Sequence, residues 1–253
     1  MGLLEALFPL CFFCRSLSPC LNAVILFALI GTHTNMMHFN LIQRIILWAI
    51  PVIFAVTVHE VAHGWVANKL GDPTAKMLGR LTLNPIKHID PLGTIIIPAL
   101  MLAMTSFVFG WAKPVPITYR NLRNPRRDMA LVALAGPVSN LIMALIWAAI
   151  AKAGVLLGGT STTSVAIYYM GFAGILINLM LMVLNLIPIP PLDGSRVVAS
   201  FLKGKAAYTY SRIEPFGFFI LLGLLALGAI GGIMQPIIGG LLRMIANLFG
   251  LGI

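Results

Sequence analysis

The chain has 253 residues, a net charge of +10, 59% hydrophobic residues and only 9% charged ones. A soluble domain carries roughly 25% charged residues, so this chain cannot cover a water-facing surface, and its apolar residues come in runs of membrane-spanning length. The basic residues lie in loops between those runs with little aromatic interleaving, which points to loops on the cytoplasmic side of a membrane rather than to nucleic acid.

Residues 1–35 form an apolar N-terminal extension interrupted by Glu5, Pro9, Arg15 and Pro19. It is read either as an extra span or as residues preceding a natural start at Met36 or Met37. Cys11, Cys14 and Cys20 all lie within it, an odd number in one apolar stretch, which is no disulfide framework. A long helical pattern follows from Leu41 to about Leu70, stopped by Gly71-Asp72-Pro73. Residues 72–92 are loop-like, with turn signals at Asp72-Pro73, Asn84-Pro85 and Asp90-Pro91. Gly93–Gly110 is apolar with Pro98 inside it. Lys113–Tyr119 alternates like a strand, and prolines at 114 and 116 confine such a strand to a sheet edge. Met129–Ala151 and Val165–Ile187 are spans, residues 188–215 a basic surface segment, and Phe216–Ile233 another span. Pro236–Leu251 is a last span or an interfacial helix.

The chemistry concentrates in His59-Glu60-Val61-Ala62-His63. Helical residues four apart share a face, so both imidazoles can reach one metal, and Glu60 is placed to take a proton from a water at that metal. Ionisable groups at membrane depth are costly and mark function. A catalytic zinc site usually takes three protein ligands and keeps one place open. Of the acids outside the motif, Asp193 stands out. It closes Asn185-Leu-Ile-Pro-Ile-Pro-Pro-Leu-Asp-Gly194, where three prolines unwind the end of a membrane helix.

The order His59-Glu60-x-x-His63, Ala135-Gly136-Pro137-x-x-Asn140 and Asn185-x-x-Pro188-x-Pro190-Pro191-Leu192-Asp193-Gly194 resembles the site-2 protease family of intramembrane metalloproteases, from about Leu41 to Arg196. The resemblance implies a zinc endopeptidase, one ion per chain, that hydrolyses peptide bonds within or next to membrane-spanning segments. It implies His59, His63 and Asp193 as metal ligands and Glu60 as general acid/base. Asn185 matches an asparagine near the catalytic centre, and Asn140 matches the polar position of the family's Gly-x-x-x-Asn helix. Either asparagine donates a hydrogen bond to the oxyanion or to substrate, or serves as an interhelical hydrogen bond. Many relatives carry a PDZ domain or a nucleotide-sensing C-terminal domain, and this chain shows neither.

The fold expected is an all-α polytopic membrane protein. It is a bundle of about five to six transmembrane helices with a short strand-like or re-entrant segment near the active site. Residues 36–253 form a single membrane protease domain with its catalytic core at 41–196. The partners expected are a membrane-spanning protein substrate and the bilayer, with no nucleic acid. The location expected is the bacterial inner membrane, with the site towards the cytoplasm. Two ligand-bearing helix ends must face one side, so an even number of crossings separates them, and Gly93–Gly110 is read as a hairpin that dips in and returns. Two other readings explain fewer of these features. One is a transporter or channel with a midplane metal site, which would explain the intramembrane charges but not why they form one metal-ligand set, and no repeated half is seen. The other is a protease homologue that has lost activity, which the intact Glu60 opposes.

Overall fold

The structure, a computed structural model, describes residues 39–96, 113–158 and 161–252. The N-terminal extension, with its three cysteines, and most of Gly93–Gly110 lie outside the described residues.

Helix α1, Leu41–Lys69, begins where Asn40 and Gln43 form a capping box, each side chain accepting the other's backbone N–H at 2.9 Å. It stops at Gly71, whose φ of 113° is open only to glycine. A four-residue helix α2, Thr74–Met77, follows, then a 3₁₀ turn at Pro85–His88 and a π-helical turn at Pro91–Ile96. The chain re-enters at residue 113 as an extended segment ending in a 3₁₀ turn, Tyr119–Asn121. It then forms α3, Pro125–Leu156, and α4, Thr162–Asn185. Three shorter helices follow, α5 (Asp193–Phe201), α6 (Gly204–Ser211) and α7 (Glu214–Ala226), and then α8, Ala229–Phe249.

Helices α3 and α4 form the centre. Small residues let them approach: a Cβ on Gly174 would lie 2.2 Å from the Trp147 ring, and one on Gly171 would lie 2.5 Å from the Ala151 backbone nitrogen. The buried core joins Trp147, Ala148 and Ala151 of α3 to Ile175 and Leu179 of α4 and to Ile230, Met234 and Ile238 of α8. The outer faces carry exposed large apolar side chains, such as Ile46, Phe54, Ile142 and Ile146, as lipid-facing surfaces do.

Among the described residues the protein is all-helical, and four helices (Ile42–Lys69, Pro125–Leu156, Thr162–Asn185 and Ala229–Phe249) are long and apolar enough to cross a membrane. The expected count of five to six included the N-terminal extension and a span at Phe216–Ile233. That second span is divided. Gly228 takes a left-handed φ of 71°, ends α7 and lets α8 begin at Ala229 and run through Pro236. Helix α7, with 13 residues, reaches about 20 Å at 1.5 Å per residue, short of a hydrocarbon core of about 30 Å.

The strand-like segment forms no strand. Pro114 and Pro116 supply no N–H, and no described strand lies beside the segment. It stays extended, and it lies against α1. The two flanks of the apolar run meet: the Lys113 N–H donates to the His88 carbonyl at 2.9 Å, and Arg80 Nη2 donates to the Lys113 carbonyl at 2.8 Å. His88 and Lys113, which flank the apolar run, are therefore neighbours.

Candidate metal centre

The site forms where the C-terminal half of α1, the first half of α3 and the turn entering α5 converge. His59 and His63 stand one turn apart on α1, facing α3, and both are buried. The prolines before Asp193 end α4 and turn the chain back. Gly194 makes that return possible, since a Cβ there would lie 2.3 Å from the Leu186 carbonyl oxygen. Asp193 Oδ2 then lies 3.2 Å from both His59 Nε2 and His63 Nε2, and the two nitrogens lie 3.0 Å apart. Among the described residues two helices of membrane-spanning length, α3 and α4, separate the histidines from the aspartate, and they return the chain to the same end.

The hydrogen bonds behind the rings settle which atoms face the centre. His63 Nδ1 lies 2.7 Å from the Val132 carbonyl oxygen, which can only accept, so Nδ1 carries the proton. His59 Nδ1 lies 2.6 Å from Asn140 Oδ1. The Asn140 amide nitrogen is directed at the Asn178 carbonyl oxygen, 2.9 Å away, and at the Ala55 carbonyl, 3.3 Å away, so Oδ1 accepts from His59. Both Nε2 atoms thus present lone pairs to each other and to Asp193 Oδ2, a buried oxygen with no hydrogen-bond donor. Three acceptors this close repel one another in a dry site. A cation at their centre satisfies all three, and two imidazole nitrogens with a carboxylate oxygen suit zinc. Among the described residues these three form the one group able to hold a metal.

Gly136 supplies the room. A Cβ there would lie 2.4 Å from His63 Nε2 and 2.5 Å from His59 Cε1, so α3 can approach the ligands only with glycine at this position. Glu60 is half-buried on the next face of α1, and its Oε2 accepts the Val115 N–H at 2.7 Å. The extended segment reaches it because Gly64 leaves a seat for the Val115 side chain, where a Cβ would lie 2.8 Å from Val115 Cγ1.

Of the residues singled out in the sequence, His59, His63 and Asp193 meet at one point. Asn140 touches His59 from behind. Asn185 bonds the Leu181 carbonyl of its own helix at 2.9 Å, and none of its hydrogen bonds reaches the three. Three residues take parts at the site that the sequence reading did not assign to them. Asn178, fully buried on α4, is an amide in the middle of an apolar span, a signal that could have found it. Val115 acts through its backbone, which no side-chain motif records.

Asp72 is the third. Fully buried beyond the end of α1, it accepts from the Thr118 N–H at 2.6 Å, the Asn121 side chain at 3.0 Å, the Thr74 N–H at 3.1 Å and the Thr74 hydroxyl. Burial pushes its carboxyl up, but these donors prevail and hold it below its ordinary value.

Residues 153–227 match the family model described as "Peptidase family M50". A Bacillus subtilis protein named "Putative zinc metalloprotease YwhC" is 38% identical over 205 residues, covering 79% of this chain and 89% of its own length. A stretch of that share takes in His59, Glu60, His63 and Asp193 wherever it begins. Proteins named "Putative zinc metalloprotease Rip2" from Mycolicibacterium smegmatis and Mycobacterium tuberculosis H37Rv are 29% and 28% identical. Those matches cover 68% and 71% of this chain and 64% and 66% of theirs. No solved structure gives a significant match.

Proposed function

The chain belongs to peptidase family M50, and on that premise we propose that it is a zinc endopeptidase cleaving peptide bonds within or next to membrane-spanning segments of other proteins. The observation that carries this reading is the convergence of His59 Nε2, His63 Nε2 and Asp193 Oδ2 among apolar helices, with Glu60 one residue along α1.

His59, His63 and Asp193 hold the ion. Zinc bound there would bring the pKa of a water towards neutrality and polarise the scissile carbonyl. The Glu60 carboxylate takes the proton from the attacking water and delivers it to the leaving amine nitrogen. The Val115 N–H restrains that carboxylate on one oxygen and leaves the other free for the transfer. Asn140 keeps His59 turned for ligation. Asn185, at the end of α4, is our candidate for a hydrogen bond to substrate backbone.

The extended segment 113–118 is the substrate-facing edge in this reading. Ile117 makes no hydrogen bond among the described residues, so its backbone can pair with an unwound peptide. A crosslinker at Ile117 in a Glu60→Gln background should capture substrate, and capture no better than from Ser161 would remove this part of the proposal.

The site faces the cytoplasm of a bacterial inner membrane. Lys76, Arg80, Lys87, Lys113, Arg120, Arg123, Arg126, Arg127, Arg196, Lys203, Lys205 and Arg212 lie in segments at its end, whereas the loop between α3 and α4 has only Lys152 nearby. Cysteines at Thr82 and Tyr119 should label from that same side.

The test of function is cleavage of a transmembrane peptide by the purified, zinc-loaded protein. Cleavage that stops on chelation and returns with zinc supports the proposal, and cleavage unchanged after zinc removal refutes it.

A further inference from the structure

Asn178 lies on α4 and is fully buried. Its hydrogen bonds among the described residues go to Gly174 and Asn140, and none reaches a ligand atom or Glu60. Its amide nitrogen donates to the Gly174 carbonyl one turn back at 2.8 Å, and this fixes its carbonyl oxygen towards α3. That oxygen accepts the Asn140 amide at 2.9 Å.

The consequence lies in the shape of an asparagine side chain. Turning the Asn140 amide over exchanges its oxygen and nitrogen almost without steric change. With the oxygen towards His59, the ring carries its proton on Nδ1 and Nε2 keeps its lone pair. With the NH2 towards His59, Nδ1 must accept and the proton moves to Nε2, the atom aimed at the metal position. The Ala55 carbonyl, at 3.3 Å, is the longer of the two acceptors holding the amide nitrogen. Asn178 is the shorter, and its own orientation is locked by Gly174.

We propose that Asn178 is a positioning residue for the metal centre, fixing through Asn140 the His59 tautomer that leaves Nε2 free to bind. This rests on the zinc reading above. A merely structural role would be a bond between two membrane helices with no bearing on the metal.

The test is zinc affinity of the full chain in detergent, by competition with a chromophoric chelator, with zinc-free thermal unfolding measured alongside. Asn178→Leu should weaken zinc binding about tenfold, as expected for a group that orients a ligand. Asn178→Ala, which removes the acceptor without adding bulk, carries the same expectation. Adding Asn140→Asp to Asn178→Leu should restore most of the affinity, because a carboxylate has no N–H to offer His59 and fixes the tautomer without Asn178. Wild-type affinity in the Asn178 variants that fold, or no recovery on adding Asn140→Asp, overturns the inference. A wild-type chain that binds no zinc overturns the zinc reading itself, and this inference with it.

Discussion

Two regions bear on the same few atoms and are built in opposite ways. The metal position is made of helices: His59 and His63 from α1, with Val132, Gly136 and Asn140 of α3 and Asn178 of α4 behind them. The approach to Glu60 is made of loop, and residues 113–121 are held by side chains that grip backbone. Arg80 takes the Lys113 carbonyl, Glu60 the Val115 N–H, and Asp72 the Thr118 N–H with the Asn121 side chain. Helices fix ligands that must not move. In the proposed function, a loop tethered at both ends is what presents main chain to a substrate peptide while staying in register with Glu60.

This contrast predicts that changes in the two regions fail differently. The largest effect is expected at Gly136. Gly136→Ala puts a methyl group at 2.4 Å from His63 Nε2, so zinc and peptidase activity should be lost together, by at least about 100-fold on the scale of ligand-shell mutations. Metal analysis beside the assay checks it, and zinc retained at wild-type affinity would mean that α3 can retreat from the ligands.

Glu60→Gln should separate the two quantities. Zinc content should stay near one ion per chain while kcat falls by about 100-fold or more, the range of a lost general base. Loss of zinc in this variant would make Glu60 a ligand instead.

Asp72→Ala should spare the metal and injure the loop. It leaves the Thr118 N–H without its acceptor and the Asn121 amide with only its longer bond to the Thr74 hydroxyl, and KM should rise more than kcat falls. The pH dependence follows from the lowered Asp72 carboxyl. Its contribution to stability is complete above the unfolded carboxylate value of about 4 and is lost as pH falls through the lower folded value. Wild type should therefore lose stability in this acid window, and Asp72→Ala should lose less. Parallel acid-unfolding curves would contradict the assignment.

The smallest effect is expected at Gly64→Ala. The added methyl meets Leu81 Cδ2 at 2.6 Å and Val115 Cγ1 at 2.8 Å, both movable side-chain ends. The segment should shift slightly from Glu60, with activity falling a few-fold and zinc unchanged.

The sequence exposes these regions unequally. The histidine pair, Glu60 and Asp193 were legible because metal chemistry demands few residue types at set spacings. The spans were legible from their length. The break at Gly228 was not, since glycine is common in membrane helices and only the backbone reveals its left-handed turn. The strand expected at Lys113–Tyr119 was a misreading of alternation. The prolines that suggested an edge also leave too few donors to make one, and the extended chain is held by side chains instead. Asp72 read only as a turn residue next to proline, because its partners are a backbone amide 46 residues away and a side chain 49 residues away.

The central claim is that two imidazole nitrogens and one carboxylate oxygen share a zinc ion. X-ray absorption at the zinc edge of the purified protein tests it most directly. The account predicts a first shell of nitrogen and oxygen only, at about 2.0–2.2 Å. It also predicts imidazole scattering from two rings that falls to one in His59→Ala. A sulfur in that shell, or two-ring scattering that survives in His59→Ala, would contradict it.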